Sequence, residues 1–220
     1  MASNKEKIFI QYGDGIREDY RATITRTSSL EFYYTKKHLE GFITKNSKIL
    51  EIGCATGHYG IHYSNKCKEY VGVDIVQSHI DIFNKKITEN KIKNVSCQVG
   101  DAKNLPSIPD ESFDIVLCLG PMYHLPPEER ELAFMEAIRV CKTDGVLAFA
   151  YINKIGVYVG ACVQDDENYR KNYPDKNANK YILTNGTDDL KPDTFFFTTP
   201  EDMNIAAEKF GLIKIKNLAT

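Results

Sequence analysis

The stretch ILEIGCATG, residues 49–57, decides how this chain is read. Ile49 to Ile52 is a short β-prone run, and Gly53 and Gly57 follow it. Glycine lacks a Cβ, so it lets a backbone turn sharply and bring its amides close to a ligand. A strand that empties into such a turn, with a helical stretch behind it at about residues 59–66, is the opening of a strand–turn–helix unit. Working outward, further short runs appear at Tyr70–Asp74, Val95–Val99, Phe113–Leu119 and Val146–Ile152, each separated from the next by helical or turn-rich sequence. Strands alternating with helices predict a parallel sheet covered on both faces, the doubly wound α/β class.

The helical stretches carry their own signals. Ser78 to Asn90 has apolar residues at 80, 82, 83 and 87, and Ser78 with Asp81 has capping-box spacing. The next helix follows Pro126-Pro127 with Glu128 and Glu129 in its first turn, and is expected to reach about Lys142, where Thr143-Asp144-Gly145 ends it. Thr199-Pro200-Glu201-Asp202 starts a helix lasting to Phe210 before Gly211, and Leu212 to Ile215 is read as a sixth strand. Between them, residues 153–198 break the alternation with an aromatic, polar segment holding Tyr158, Tyr169, Tyr173, Pro174 and a turn at Asn185-Gly186; Phe195 to Phe197 could alternate on a strand.

Composition narrows the function classes. The chain has 220 residues, 42% hydrophobic and 26% charged, a formal charge of −2 and no tryptophan, which is the balance of a globular domain large enough to bury a core. Its longest apolar runs fall far short of the roughly 20 residues that cross a bilayer. The start, MASNKEKIFI, lacks the long apolar core of a secretory leader, so a cytoplasmic protein with no membrane partner is expected. Six cysteines lie at least thirteen residues apart and form no C-x-x-C pair, favouring free thiols over disulfides or a zinc site, and no metal is expected. Near-neutral charge, with Lys-rich stretches interleaved by acids, disfavours nucleic acid as a partner. The sequence leaves the oligomeric state open.

In an open parallel sheet, ligands bind at the carboxyl ends of the strands. Those ends offer Glu51 with the Gly53–Gly57 turn, Asp74, Asp101, and the run Leu119-Gly-Pro-Met-Tyr-His124. A carboxylate ending the second strand, as Asp74 does, can accept both hydroxyls of a ribose, so the pattern reads as a nucleoside site. The turn departs from the dehydrogenase fingerprint: Ala55 stands where the second glycine would let a pyrophosphate approach, and acidic Glu51 precedes it. A carboxylate repels a pyrophosphate but favours a ligand carrying an amino group and a sulfonium.

With ILEIGCATG at 49–57, GVDI at 72–75, GDA at 100–102, FDIVLCLGPMYHL at 113–125 and GVLAFA at 145–150, the chain resembles the class I, Rossmann-like S-adenosylmethionine-dependent methyltransferases over residues 46–152. Its GPMYHL segment is similar to the GPLYHL segment of small-molecule members. It departs from the Asp/Asn-Pro-Pro-aromatic motif of nucleobase amino-methylating members. The resemblance implies a doubly wound, mostly parallel sheet with an N-terminal helical cap at 1–45, a cofactor core at 46–152, a specificity insertion at 153–200 and a last helix and strand at 201–220, in one domain expected to continue beyond Thr220.

It also implies roles. The turn residues Gly53, Cys54, Ala55 and Gly57 would approach the methionine part of the cofactor, and Glu51 would organise that end. Asp74 with neighbouring Ile75 would hold the ribose, Asp101 and Ala102 would read the adenine edge, and Leu119 or Gly120 would offer carbonyls to the amine. His124, beside the expected methyl position, is a candidate general base, with a histidine bonded to a loop carbonyl as its plainer reading. Tyr123 is either a wall of the site or a packing residue. From the cap, Tyr12, Arg26, Tyr33 and Tyr34 are candidate lid residues, the arginine able to pair with a carboxylate. A methyltransferase for a small-molecule nitrogen or oxygen acceptor is the reading; a non-catalytic nucleoside sensor and a nicotinamide oxidoreductase are the alternatives.

Overall fold

The computed structural model describes residues 3–157 and 195–218, and the chain divides into two compact units at residue 150. The first unit opens with three helices, α1 (Asn4–Tyr12), α2 (Ile16–Ile24) and α3 (Arg26–Leu39). A five-stranded sheet follows: β1 (Lys48–Ile52), β2 (Glu69–Asp74), β3 (Val95–Val99), β4 (Phe113–Cys118) and β5 (Cys141–Phe149). Helices α4 (His58–Tyr63), α5 (Gln77–Glu89) and α6 (Pro127–Val140) connect them. All strand pairs are parallel and the order is β3-β2-β1-β4-β5. The chain therefore reverses its winding at β1 and β4, whose carboxyl ends face the crevice where such sheets take ligands.

β1 is central, and Ile49 to Ile52 is buried throughout because parallel strands covered on both faces read as continuous apolar runs. Alternation sends Ile49, Ile115 and Leu117 into one core with Phe32, Leu39, Tyr59, Tyr63, Tyr70 and Phe83, so α3, α4 and α5 cover that face. The opposite face takes Val116 and Cys118, and α6 packs there through Phe134, whose ring centroid lies 4.2 Å from that of Phe149. Arg139 of α6 gathers the loop after β3: it donates to the carbonyls of Leu105 and Ile108, each at 2.9 Å, and pairs with Asp110 and Glu136. Glu136 in turn accepts the Leu105 amide at 2.6 Å.

Local expectations meet three corrections. Ser78 does not cap α5: the helix begins at Gln77 after Val76, and the Ser78 hydroxyl instead donates to the Gly13 carbonyl at 2.7 Å. α6 stops at Val140 rather than Lys142, and β5 starts at Cys141. Thr143-Asp144-Gly145 ends no helix but lies inside β5 at a register shift, since Phe113 pairs with Cys141 and Ile115 with Val146. The third correction concerns Leu212–Ile215, which forms no strand, and Ile213 is 91% exposed. An extended segment needs a neighbour for its ladder groups, and none is paired with it among the described residues.

The second unit holds a two-residue parallel pair, β6 (Ile152–Asn153) with β7 (Phe197–Thr198), and α7 (Pro200–Lys209). Thr199 caps α7 by accepting from the Asp202 amide at 3.1 Å and completes a capping box, at the helix start expected from Thr-Pro-Glu-Asp. Tyr158, Tyr169, Tyr173, Pro174, Asn185 and Gly186, with Cys162, lie outside the described residues.

Candidate functional site

The turn after β1 is fastened to the end of β2. The amides of Gly53 and Cys54 both donate to the Val73 carbonyl, at 2.7 and 3.0 Å. Gly53 (φ +80°) and Gly57 (φ +82°) take left-handed backbone that glycine adopts freely. Space also requires them: a Cβ on Gly53 would come 2.5 Å from Pro121 Cδ, and one on Gly57 would enter the Phe83 ring at 2.1 Å. The turns after β1 and β4 thus nearly touch, and a Cβ on Gly120 would lie 3.4 Å from the Gly53 carbonyl oxygen. Ala55 also has positive φ, +44°, and its amide donates to Asp74 Oδ2 at 2.8 Å.

Asp74 is buried at the carboxyl end of β2. Its Oδ1 accepts from the Val76 amide at 2.9 Å and from His79 Nδ1 at 3.2 Å. Half-buried Ile75 sits beside it. Cys54, under the same turn, has its thiol pushed well up by burial and by the Asp74 and Glu51 charges. Glu51 is buried and accepts the Tyr70 hydroxyl at 2.6 Å. Burial pushes its carboxyl up to about 8 against the pull of that hydrogen bond, with Asp74 adding to the rise.

At the end of β3, Asp101 turns its own loop by accepting the Lys103 amide at 3.0 Å. Lys103 Nζ lies 2.8 Å from Glu129 at the start of α6, and Ala102 is half-buried between them in sequence. Past β4, half-buried Leu119 and Gly120 lead into a 3-10 turn at Pro121–Tyr123, where the His124 amide donates to the Pro121 carbonyl at 2.9 Å.

The N-terminal helices close on these strand ends. Tyr12, the last residue of α1, places its hydroxyl 3.3 Å from His124 Nε2, with ring centroids 5.3 Å apart, and its ring also meets His79 edge-on at 6.3 Å. Burial, then the nearby Tyr123 and Glu18, hold the Tyr12 phenol far above its ordinary range. Tyr123 lies against His124 at 4.6 Å between centroids, and burial raises its phenol to about 12 although Arg21 opposes this. Arg21 of α2 forms a two-pronged pair with Glu31 at 2.9 and 2.8 Å and covers the Phe32 ring. Burial works against its charge, but Tyr123, Glu31 and Glu18 outweigh it. Burial raises the Glu18 carboxyl, with Arg21 and His79 pulling it down.

A latch fixes α2 to the glycine turn: Asp19 pairs with Lys86 of α5, Lys86 Nζ donates to the Thr56 carbonyl at 2.9 Å, and His58 Nε2 donates to the Asp19 carbonyl at 2.8 Å. Burial lowers the His58 pKa and the Lys86 charge adds to it.

Of the cap residues singled out from sequence, the structure brings Tyr12 to the strand ends. Arg26 is exposed at the start of α3, and Tyr33 and Tyr34 are exposed and pack edge-on against each other. Sequence reasoning passed over Arg21, Glu18 and His79. His79 had a readable signal, because a helix opening just after Asp74 turns its third residue back over the strand end. No comparable signal separates Arg21 from Arg26.

The sheet order is that of the Rossmann-like folds, and the solved structures below share the fold. Residues 49–145 match the family model described as "Methyltransferase domain". Methyltransferase YcgJ of Bacillus subtilis, itself uncharacterized, is 34% identical over 98 residues, 44% of this chain and 38% of the relative. Its crystal structure superposes with a TM-score of 0.58 at 22% identity, covering 82% of this chain and 67% of that one. The ubiquinone biosynthesis O-methyltransferase of Coxiella burnetii is 29% identical over 119 residues, covering 54% of this chain and 49% of the relative. A complex of DhpI with SAH has the same fold, with a TM-score of 0.55 at 18% identity over 69% of this chain and 71% of that one. The chain spans less than half the length of these curated sequence relatives. Among the described residues no helix is long and apolar enough to cross a membrane.

Proposed function

We propose that the chain is an S-adenosylmethionine-dependent methyltransferase acting on a small-molecule acceptor through nitrogen or oxygen. One observation carries this reading: Tyr12 joins His124 at the end of β4 to His79 and Asp74 at the end of β2, across the glycine turn of β1. In this reading the span would set a nucleoside-holding carboxylate and a proton acceptor at neighbouring strand ends. The residues present fit the cofactor, since Gly53 has no room for a side chain beside Pro121 and a buried carboxyl, Glu51, stands beneath the turn. SAH bound to DhpI, on the same fold, is in keeping with this.

Asp74 would accept a ribose hydroxyl, Asp101 and the Ala102 amide would read the adenine edge, and the turn residues Gly53, Cys54, Ala55 and Gly57 would run along the methionine portion. Carbonyls at Leu119 or Gly120 would accept from the amine. Glu51, neutral near pH 7 in the unliganded chain, would give up its proton to face that cation. When bound, the cofactor supplies a methyl carbon already activated by the sulfonium. The protein's task is then alignment and exclusion of water, which supplies up to about 7–11 kcal/mol in well-oriented systems.

Tyr12, whose phenol is held protonated, would donate to His124 Nε2 in the tautomer that leaves that nitrogen an acceptor. The acceptor's own O–H or N–H would take Tyr12's place on Nε2, which receives the proton as the new bond to carbon forms. Arg21 and Tyr123 would line the acceptor side and favour an acceptor with a polar or anionic group. The free thiols and near-neutral charge suit a cytoplasmic enzyme with no nucleic acid partner.

Titration calorimetry with S-adenosylhomocysteine and with NAD tests the first half of the reading; tighter binding of NAD would overturn it. Incubation with a metabolite extract and methyl-labelled S-adenosylmethionine tests the second. Transfer of label to a small molecule is expected, and binding without any transfer would favour a sensor.

A further inference from the structure

We infer that His79 is a second ribose-reading residue, taking through Nε2 the hydroxyl that Asp74 has no room to accept; this rests on the methyltransferase reading above. An ionised carboxylate offers about four acceptor positions. Asp74 spends three of them inside the protein, on the amides of Ala55 and Val76 and on His79 Nδ1. One position remains, and a ribose presents two hydroxyls. The usual division of labour, one carboxylate for both, is therefore not open to this site.

His79 supplies the missing position. Its side chain is 4% exposed, and Nε2 is buried with no hydrogen-bond partner among the described residues. Asp74 accepts two backbone amides, so the third bond also runs from ring to carboxylate, and Nδ1 is the protonated nitrogen. In the neutral ring that tautomer leaves Nε2 as an acceptor. A buried acceptor without a partner is unfavourable, and the Tyr12 ring, which meets the His79 ring edge-on, does not relieve it. Gly15, with φ +69°, passes over the ring, where a Cβ would lie 3.5 Å from His79 Cδ2. The lid backbone thus comes close over the ring without supplying a donor. A vicinal diol fits both needs, one hydroxyl donating to the last position on Asp74 and its neighbour to Nε2.

The test is a binding cycle on the full chain. Titrate S-adenosylhomocysteine and its 2′-deoxy and 3′-deoxy analogues into the wild-type protein and into His79→Phe, which keeps a planar ring and removes both nitrogens. Each lost hydroxyl should weaken wild-type binding about tenfold or more, the scale of one buried hydrogen bond. His79→Phe should weaken S-adenosylhomocysteine by a similar factor, yet bind one of the two deoxy analogues as well as the wild type does. That non-additivity is what a merely structural histidine would not produce. If each analogue loses the same factor on both proteins, His79 does not touch the ribose. His79→Leu, which also lacks any acceptor, repeats the cycle should the phenylalanine variant fail to fold, with the same two outcomes. Failure of the wild-type protein to bind S-adenosylhomocysteine at all would overturn the methyltransferase reading itself, and this inference with it.

Discussion

Glu51 sets how the stability of this protein depends on pH. The folded chain holds its carboxyl proton up to about pH 8, whereas the unfolded chain releases it near 4.5. Between those values the native state binds the extra proton, so stability falls as pH rises through the window and is fully retained only below it. At about 1.4 kcal/mol for each tenfold in proton affinity, the loss approaches 5 kcal/mol by pH 8. Its cause is desolvation: the side chain is 2% exposed on the central strand, and a single hydroxyl, that of Tyr70, compensates the charge. Glu51→Gln keeps an amide oxygen for Tyr70 and cannot ionise. Urea unfolding of both proteins at pH 5, 7 and 9 should show the variant gaining on the wild type, from near equality at pH 5 to about 3–5 kcal/mol at pH 9. The difference between the two curves isolates Glu51 from every other titrating group. A gap that stays constant with pH would refute the desolvation account.

Asp74→Ala should weaken S-adenosylhomocysteine binding by about 1.5–3 kcal/mol in calorimetry, the range for bonds to a charged group; unchanged affinity would remove Asp74 from the site. His124→Ala should lower turnover by about 10²–10⁴-fold while leaving cofactor affinity within a fewfold, once an acceptor is in hand. Gly57→Ala forces a left-handed alanine against the Phe83 ring and should cost about 2–4 kcal/mol in thermal unfolding. Lys86→Met cuts the tie between α5, Asp19 and Thr56; trypsin should then cleave at Arg17 or Arg21 faster than in the wild type.

The central sheet was legible because its strands are short apolar runs ended by turn residues, and a parallel strand buried on both faces leaves that mark on sequence whatever its neighbours. Edges were harder. The Thr-Asp-Gly run at 143–145 was read as a helix end, but it lies within β5 at a register shift, and both structures use the same turn chemistry. Leu212–Ile215 has strand composition, yet composition cannot furnish a hydrogen-bonding neighbour. Strand-end positions such as Glu51, Asp74 and Asp101 could be placed because the backbone alone fixes where a strand stops. The cap was different: Arg21 and Arg26 stand five residues apart on adjacent helices, and only the packing of α2 against α3 decides which one reaches Tyr123.

The Arg139 clamp has a mechanical consequence. It ties the loop after β3 to α6, Lys103 adds a tie from that loop to Glu129, and α6 begins three residues past His124. The adenine-side loop and the histidine turn therefore ride on one stiff block. Opposite them, α2 is held to the glycine turn by the polar latch at Asp19 and to α3 by the Arg21–Glu31 pair. Such a vice has one fixed jaw: ordering entropy on ligand capture falls almost wholly on the N-terminal helices, and changes in the latch should alter how fast ligand leaves more than where it sits.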